Sequence, residues 1–426
     1  MGLVKNAGLF SSEMTSDIKG KFFYVDYDNN GEKRLFFENA GGSLRLKSAV
    51  EADARYAAYP DCPERIHDIA LMLKGVQKKG IEDVRLLLNA HDGNILVTYT
   101  ASIAMYNMVR AVVENNPGQN VVTTCLEHPS SYDACQYYAE RTGKTFKAVS
   151  ANRTSGRIEV DEVLKHIDAE TCLLSVMYAS NLSGAIMDIE TLVQEVKKIN
   201  PNTYIIVDAV QHAPHGLIDL QKTPVDGLNF APYKFFGNRG VAYAYVSERL
   251  STLSHDKLIA RADNDWELGS PTPSDYAAMT EIVNYLCWIG NQFKPELIDR
   301  RALIVEGITR IKKQEQALLE LMLNGTEAQK GLRDIKGVTV HFDTDDFEKR
   351  DLILSLSFDK MDCTTATIKY REKGVIVYER VATSLYSKRM LEAFDLEGVL
   401  RVSPLHCHDI TDVVTFLRAT EALASA

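Results

Sequence analysis

The stretch "YIIVDAVQHAPHGLIDLQKTPVDGLNFAPYKFFGNRG", residues 204–240, spaces an acid, an amide and a lysine so that they can share one edge of a sheet. A run of β-branched residues ends at Asp208, which sets that carboxylate at the carboxyl end of a buried strand, where open α/β sheets bind ligands. Lys234 follows Pro and Tyr and precedes a Gly-rich bend, so its amine can turn back toward the sheet. One connection and one further strand separate the two. Alone, Asp208 reads as a turn or helix cap and Lys234 as a surface residue. Together they suit an aromatic aldehyde cofactor, pyridoxal 5'-phosphate. The lysine amine condenses with the aldehyde, and the acid keeps the ring nitrogen protonated so that the ring can absorb a carbanion's electrons. Gln211 is placed to hydrogen-bond the ring's phenolic oxygen.

The elements that must position these residues are legible from about residue 80 onward. Short apolar strands ("NILVTY", "QNVVTT", "TFKAVS", "CLLSVMYAS", "TYIIVDAV", "GLNFAPY", "GVAYAYVS") alternate with amphipathic helical stretches such as 131–142 and 190–199. This alternation predicts an α/β fold with a mostly parallel sheet of about seven strands. A long helical region follows, roughly 274–330. From about 335 the pattern reads "GVTVHF", "LILSLSF", a helix over 364–373, "GVIVYER", a helix over 386–394, "VLRVSP" and a last helix over 410–424. That is a compact α+β unit. The expected organisation is an N-terminal arm (1–34), a large cofactor-binding domain (35–290) and a smaller C-terminal domain (291–426).

Several separated motifs then coincide. "FFENAGGSLRLKSAVEA", "TYTASIAMYNMV", "LEHPSSYDACQYYAERTG", "VMYASNLSGAIMDI", "ELGSPTPSDYAAM" and "VLRVSPLHCHDITDVVTFL" occur in this order around the Asp208–Lys234 stretch. Over about residues 35–420 the chain resembles the class V aminotransferase family of fold-type I pyridoxal-phosphate enzymes, in its cysteine-desulfurase-like branch. The resemblance implies a mixed, mostly parallel seven-stranded sheet with a smaller C-terminal α+β domain. It implies Lys234 as Schiff-base lysine and proton carrier, Asp208 on the pyridinium, Gln211 on the phenolic oxygen and His128 flat on the ring. It implies Asn181 at the cofactor or substrate, and Ser102 on the phosphate through its hydroxyl and backbone N–H, with Ala101, Ile103 and Tyr233 as neighbours at the cofactor. Ser270 matches a position from which a partner subunit reaches the same phosphate, so a homodimer with a shared active site is implied. Arg401 would grip the substrate α-carboxylate with its bidentate fork.

Departures from the family pattern sharpen the expectation. Ala101 stands where relatives have Gly, Ile103 where many have Thr, Ala231 for a phosphate-binding Ser, Tyr233 for His, and Asn238 for Pro. The phosphate is therefore expected to rely on backbone and Ser102. Desulfurases carry a reactive cysteine in a loop before the terminal arginine; here that loop is "GVIVYERVATSLYSKRM", the matching position is about Thr383, and no cysteine lies between 364 and 406. Cys363 and Cys407 read as structural thiols. The expected chemistry is lyase-type elimination on an amino acid, such as C–S cleavage, without persulfide transfer. Transamination and epimerisation are the alternatives, and a cofactor-binding scaffold is the non-enzymatic one. Arg65 and His67, in "AAYPDCPERIHD", are candidate contacts for an acidic side group.

Composition fits this reading. The chain has 426 residues, 45% of them apolar, and a net charge of -10. No Lys/Arg block marks a nucleic-acid partner. The seven cysteines are scattered without a CxxC, which suggests neither a disulfide framework nor a zinc knuckle. No apolar run has transmembrane or signal-peptide length, so a cytoplasmic protein without membrane contact is expected.

Overall fold

The computed structural model describes residues 8–425. The apolar stretches become strands β1 (Asn94–Thr98), β2 (Asn120–Thr124), β3 (Thr145–Val149), β4 (Thr171–Met177), β5 (Tyr204–Asp208), β6 (Gly227–Phe230) and β7 (Ala242–Val246). They form one seven-stranded sheet in the order β1-β7-β6-β5-β4-β2-β3. Only β7 runs against its neighbours, antiparallel to both β1 and β6.

Successive side chains alternate between two apolar layers, as a pleat covered on both faces requires. Val121, Leu173 and Ile206 face a layer with Met108, Val112 and Ala134 of the helices Ala101–Asn115 and Pro129–Thr142. Val122, Leu174, Ile205 and Val207 face the other layer, with Leu192 and Val196 of the helix Ile189–Ile199. This is why these strands read as continuous apolar runs in the sequence. Because β1, β2, β4, β5 and β6 run the same way, their carboxyl ends share one edge. That edge presents Thr100–Ser102, Glu127–His128, Asn181, Asp208–Gln211 and Lys234.

The C-terminal unit is an antiparallel sheet of β8 (Val338–His341), β9 (Leu354–Phe358), β10 (Tyr378–Val381) and β11 (Gly398–Val402), in the order β8-β9-β11-β10. Its core includes Leu354, Leu400, Tyr370 and Phe416, and also Leu35 and Phe37. Two expected elements divide. The 274–330 region is two helices, Pro273–Phe293 and Arg300–Asn324, followed by a short strand pair. The break contains Pro295, and Asp299 caps the second helix by accepting from the Ala302 N–H (2.7 Å). "GVIVYER" splits at Val377: Val375–Ile376 pairs in parallel with Leu35–Phe36, while the remainder is β10. The helix expected over 386–394 begins at Lys388, which leaves 382–387 as a turn.

Candidate active site

Each strand end delivers one side chain for a local reason. Asp208 is the last residue of β5, buried, and its Oδ1 accepts the Val210 N–H (3.0 Å); no described residue donates to Oδ2. Lys234 closes a 3-10 turn, Pro232–Lys234, that opens with proline. Two residues on, Phe236 is buried with a left-handed φ of 65°. Two contacts from the N-terminal segment hold that unfavourable conformation: the Phe236 N–H donates to Ser43 Oγ (2.8 Å), and its carbonyl accepts from the Leu46 N–H (2.8 Å). The Lys234 amine consequently points inward and donates to Gln211 Oε1 (3.0 Å).

His128 precedes Pro129, the first residue of its helix. Its Nδ1 accepts the Ser130 N–H (3.2 Å) and meets Ser130 Oγ at 2.7 Å, a network that assigns the proton of a neutral ring to Nε2. Burial first, then Lys234, Arg380 and Arg389, pull its pKa down to about 4. The ring is therefore neutral at ordinary pH and suited to stacking.

These groups line a cavity of about 620 Å³ that also holds Thr100, Ala101, Ser102, Asn181, Ala231, Tyr233, Arg239, Arg380, Tyr386 and Arg401. A larger cavity of about 830 Å³ lies along the helix Ser12–Lys21 and contains none of the expected residues. Its Lys19 is already paired with Asp26 and Asp412 (both 2.9 Å), so we place the chemistry in the smaller one.

The donor set fits pyridoxal phosphate. At the helix start Thr100 Oγ1 caps the Ile103 N–H (3.2 Å), leaving the N–H groups of Ala101 and Ser102 without a helical partner. A helix N-terminus of this kind suits a phosphate. Asn181 Oδ1 is buried without a partner and borders the same space. Burial draws Lys234 and Asp208 toward their neutral forms, the lysine downward with Arg401 adding to the effect, the acid upward. A protonated ring nitrogen beside Asp208 would supply a counter-charge for that buried carboxylate.

Arg401, on β11, is 2% exposed. Its Nη2 donates to Glu38 Oε1 (2.7 Å) and its Nη1 to the Asn181 carbonyl (3.2 Å). The glycines of "NAGG" have a role here, because a Cβ on Gly41 would collide with the Glu38 carboxylate. Tyr233 lies under the Arg239 guanidinium, 4.4 Å from the ring centroid.

Not every expected residue reaches the cavity. Ile103 is turned outward and its N–H belongs to Thr100, so within this protomer it offers the phosphate nothing. Isoleucine carries no hydroxyl, and the helix turns position 103 off the cavity edge that Ala101 and Ser102 line. Ser270 donates instead to Glu64 of its own chain. Arg65 and His67 are exposed; the His67 ring caps its helix through the Ala70 N–H (3.4 Å) and sits 3.8 Å from Asp61. Conversely, sequence reading did not single out Glu38, Arg380, Arg239 or Tyr386. Arg380 and Tyr386 lie in the "GVIVYERVATSLYSKRM" stretch, where the β10–β11 register that turns Arg380 toward Arg401 leaves no local pattern. Among the described residues no helix is long and apolar enough to cross a membrane, and no His/Cys/Asp/Glu group could hold a metal ion.

Known proteins share this chain's sequence pattern and fold. The Aminotransferase class-V family profile matches residues 35–416. A probable cysteine desulfurase of Mycoplasma genitalium is 28% identical over 287 residues, 62% of this chain and 67% of that protein. The cysteine desulfurase IscS of Buchnera aphidicola is 30% identical over 175 residues, which is 40% of this chain and 42% of that protein. Among solved structures, the apo cysteine desulfurase of Thermococcus onnurineus superimposes with a TM-score of 0.80 over 96% of this chain and 98% of its own, at 19% identity. A profile spanning both the large sheet and the C-terminal unit, on a fold-type I scaffold, means that the chain belongs to the class V aminotransferase family and uses pyridoxal phosphate.

Proposed function

We propose that this protein is a lyase that eliminates a group from the β or γ carbon of an amino acid, C–S bonds included, without passing sulfur to a protein thiol. The observation that carries the second half is the cavity wall. None of the free cysteines, at 62, 125, 135, 172, 287, 363 and 407, lines it. Cys407 lies in the core, and Cys363 begins a helix beside Gly398. In the turn where a desulfurase nucleophile would sit, Thr383 is exposed and Tyr386 faces the cavity.

The residues divide the work. Bound pyridoxal phosphate supplies an electron sink for the carbanion at the substrate α-carbon. Arg401, steadied by Glu38, binds the α-carboxylate and fixes the amino acid's orientation. Lys234 removes the α-proton; its depressed pKa leaves a useful fraction of free amine near neutrality, and Gln211 holds Nζ in line. Asp208 would hold the proton on the ring nitrogen, and the neutral His128 imidazole would stack on the ring. Ala101 and Ser102 hold the phosphate through backbone N–H and hydroxyl, as Ala231 offers no hydroxyl. Tyr233 adds a phenol to the same wall.

The working unit we infer is a homodimer with Ser270 completing the partner's phosphate site. Ile66, Ile259 and Leu268 are exposed near the segments that the Glu64–Ser270 contact joins, and a dimer interface there would cover them. A single-protomer mass in sedimentation would remove this inference.

A panel of amino acids tests the reaction type. Elimination is expected to release ammonia, an oxo acid and the leaving group in equal amounts over many turnovers. Stoichiometric conversion that stops until an oxo acid is added would instead establish transamination. Inertness toward every amino acid would favour a binding scaffold.

A further inference from the structure

The same cavity contains a second buried guanidinium that the roles above leave unused. Arg380 is 6% exposed and lines the cavity beside Arg401. On the antiparallel pair β10–β11, Arg401 lies opposite Tyr378, and Arg380 is two residues further along the same strand. Period-two alternation therefore puts both arginines on one face as diagonal neighbours.

Their surroundings differ. Arg401 has the Glu38 carboxylate. Arg380 makes one hydrogen bond, from Nη2 to the Tyr386 carbonyl (2.7 Å), has no carboxylate within ion-pair distance among the described residues, and leaves Nε buried without an acceptor. The Nε of Arg401 is orphaned in the same way. Two adjacent buried cations thus share one carboxylate, an arrangement that stays costly until another anion arrives. Its effect shows on Arg380, drawn down to about 9 by burial and then by Arg401. The cofactor does not answer this need. Its phosphate would be held at the Ala101–Ser102 end, whereas Arg380 lies on the wall formed by His128 and Tyr386, whose rings stack at 5.7 Å.

We propose that the substrate is an amino acid whose side chain carries a second acid group, with Arg401 binding the α-carboxylate and Arg380 the side-chain anion. This names the substrate class of the reaction proposed above and rests on that reading. It also gives the thiol-free loop a purpose: the turn 382–387 positions a cation through the Tyr386 carbonyl.

Calorimetry on the holoprotein tests the proposal with amine-free probes that cannot turn over: succinate, 3-sulfinopropanoate and butyrate. The wild type is expected to bind one or both diacids at least ~10-fold more tightly than butyrate, since one charge-assisted hydrogen bond in a buried site is worth about that factor. The better diacid identifies the side-chain group. Arg380→Gln is expected to erase the difference while leaving butyrate affinity unchanged, and Arg380→Lys to keep part of it. Equal binding of all three by the wild type overturns the proposal and requires no variant. So does an Arg380→Gln protein that loses diacid and butyrate binding in proportion, because that is the signature of a residue that merely supports the loop. Binding does not depend on turnover, so a protein inert toward every amino acid that still prefers diacids would retain the anion site and lose only the lyase reading.

Discussion

On the sheet edge, Lys234 Nζ rests on Gln211, Asp208 Oδ1 on the Val210 N–H, and His128 Nδ1 on Ser130. Across the cavity, Arg380 and Arg401 each keep an Nε without an acceptor, and the turn that carries Tyr386 is open to solvent. The first group stands on the ends of strands fixed by two apolar layers; the second on the edge of a small antiparallel sheet and the loop that leaves it. The contrast separates two tasks. A cofactor common to a whole family calls for a rigid seat whose reacting groups are already held by hydrogen bonds within the protein. A substrate that differs between relatives is met by groups whose hydrogen bonds await a partner, each orphaned atom costing about 1–3 kcal/mol until then.

If that contrast is right, damage to the seat abolishes chemistry, whereas damage to the wall changes preference. Lys234→Ala carries the largest expected effect. It removes both the covalent anchor and the proton carrier, and turnover should fall at least ~10⁴-fold on every amino acid. Borohydride reduction and peptide mapping should find the cofactor mass on residue 234 of the wild type and none in the variant. Asp208→Asn belongs to the same series and should fall between Lys234→Ala and any change on the arginine wall, with cofactor retained. A Lys234→Ala protein that kept the modification or the rate would place the seat elsewhere. The Arg380 variants are expected to act about three orders of magnitude more weakly, and only on acidic ligands.

The same division decides what could be read from the sequence. Asp208, Gln211 and Lys234 lie within one strand–connection–strand unit, so local pattern and the right-handed logic of parallel sheets bring them to one edge. Apolar runs located all seven strands, because burial on both faces makes the signal strong. The wall is assembled across the chain. Glu38 meets Arg401 only because Leu35–Phe36 joins the C-terminal core, and Arg380 meets Arg401 only through the β10–β11 register. A single sequence does not contain that register, and "YER" at a strand end resembles a solvated edge. The outward turn of Ile103 was within reach: a threonine three residues earlier is a helix-cap signature that claims that N–H. Ser270 bonds Glu64, 206 residues away in the same chain, a pairing no local pattern announces.

Glu127 offers the finest test, because it belongs to the seat and yet is not fully satisfied. Its Oε1 accepts from the Met177 N–H (2.9 Å) and the Thr124 hydroxyl (2.7 Å), while Oε2 is buried without a partner. Burial, with Asp208 adding to it, raises its pKa from the usual 4.5 to about 8 against those two hydrogen bonds. Between these values the native protein holds a proton that the unfolded chain has released, so this group's contribution to stability falls as pH rises from 4.5 toward 8. Glu127→Gln keeps the accepting oxygen and cannot ionise. The variant should therefore nearly match the wild type near pH 5 and exceed it by roughly 3–4 kcal/mol at pH 8, a shift of several degrees in melting temperature for a chain of this size. His128, held down to about 4, slopes the opposite way; it is present in both proteins and cancels in the difference between their curves. Parallel curves from pH 5 to 8 would mean that Glu127 is ionised in the native state. The seat would then carry a second negative charge beside Asp208, and the cation that the ring nitrogen brings would be shared between two carboxylates rather than held by one.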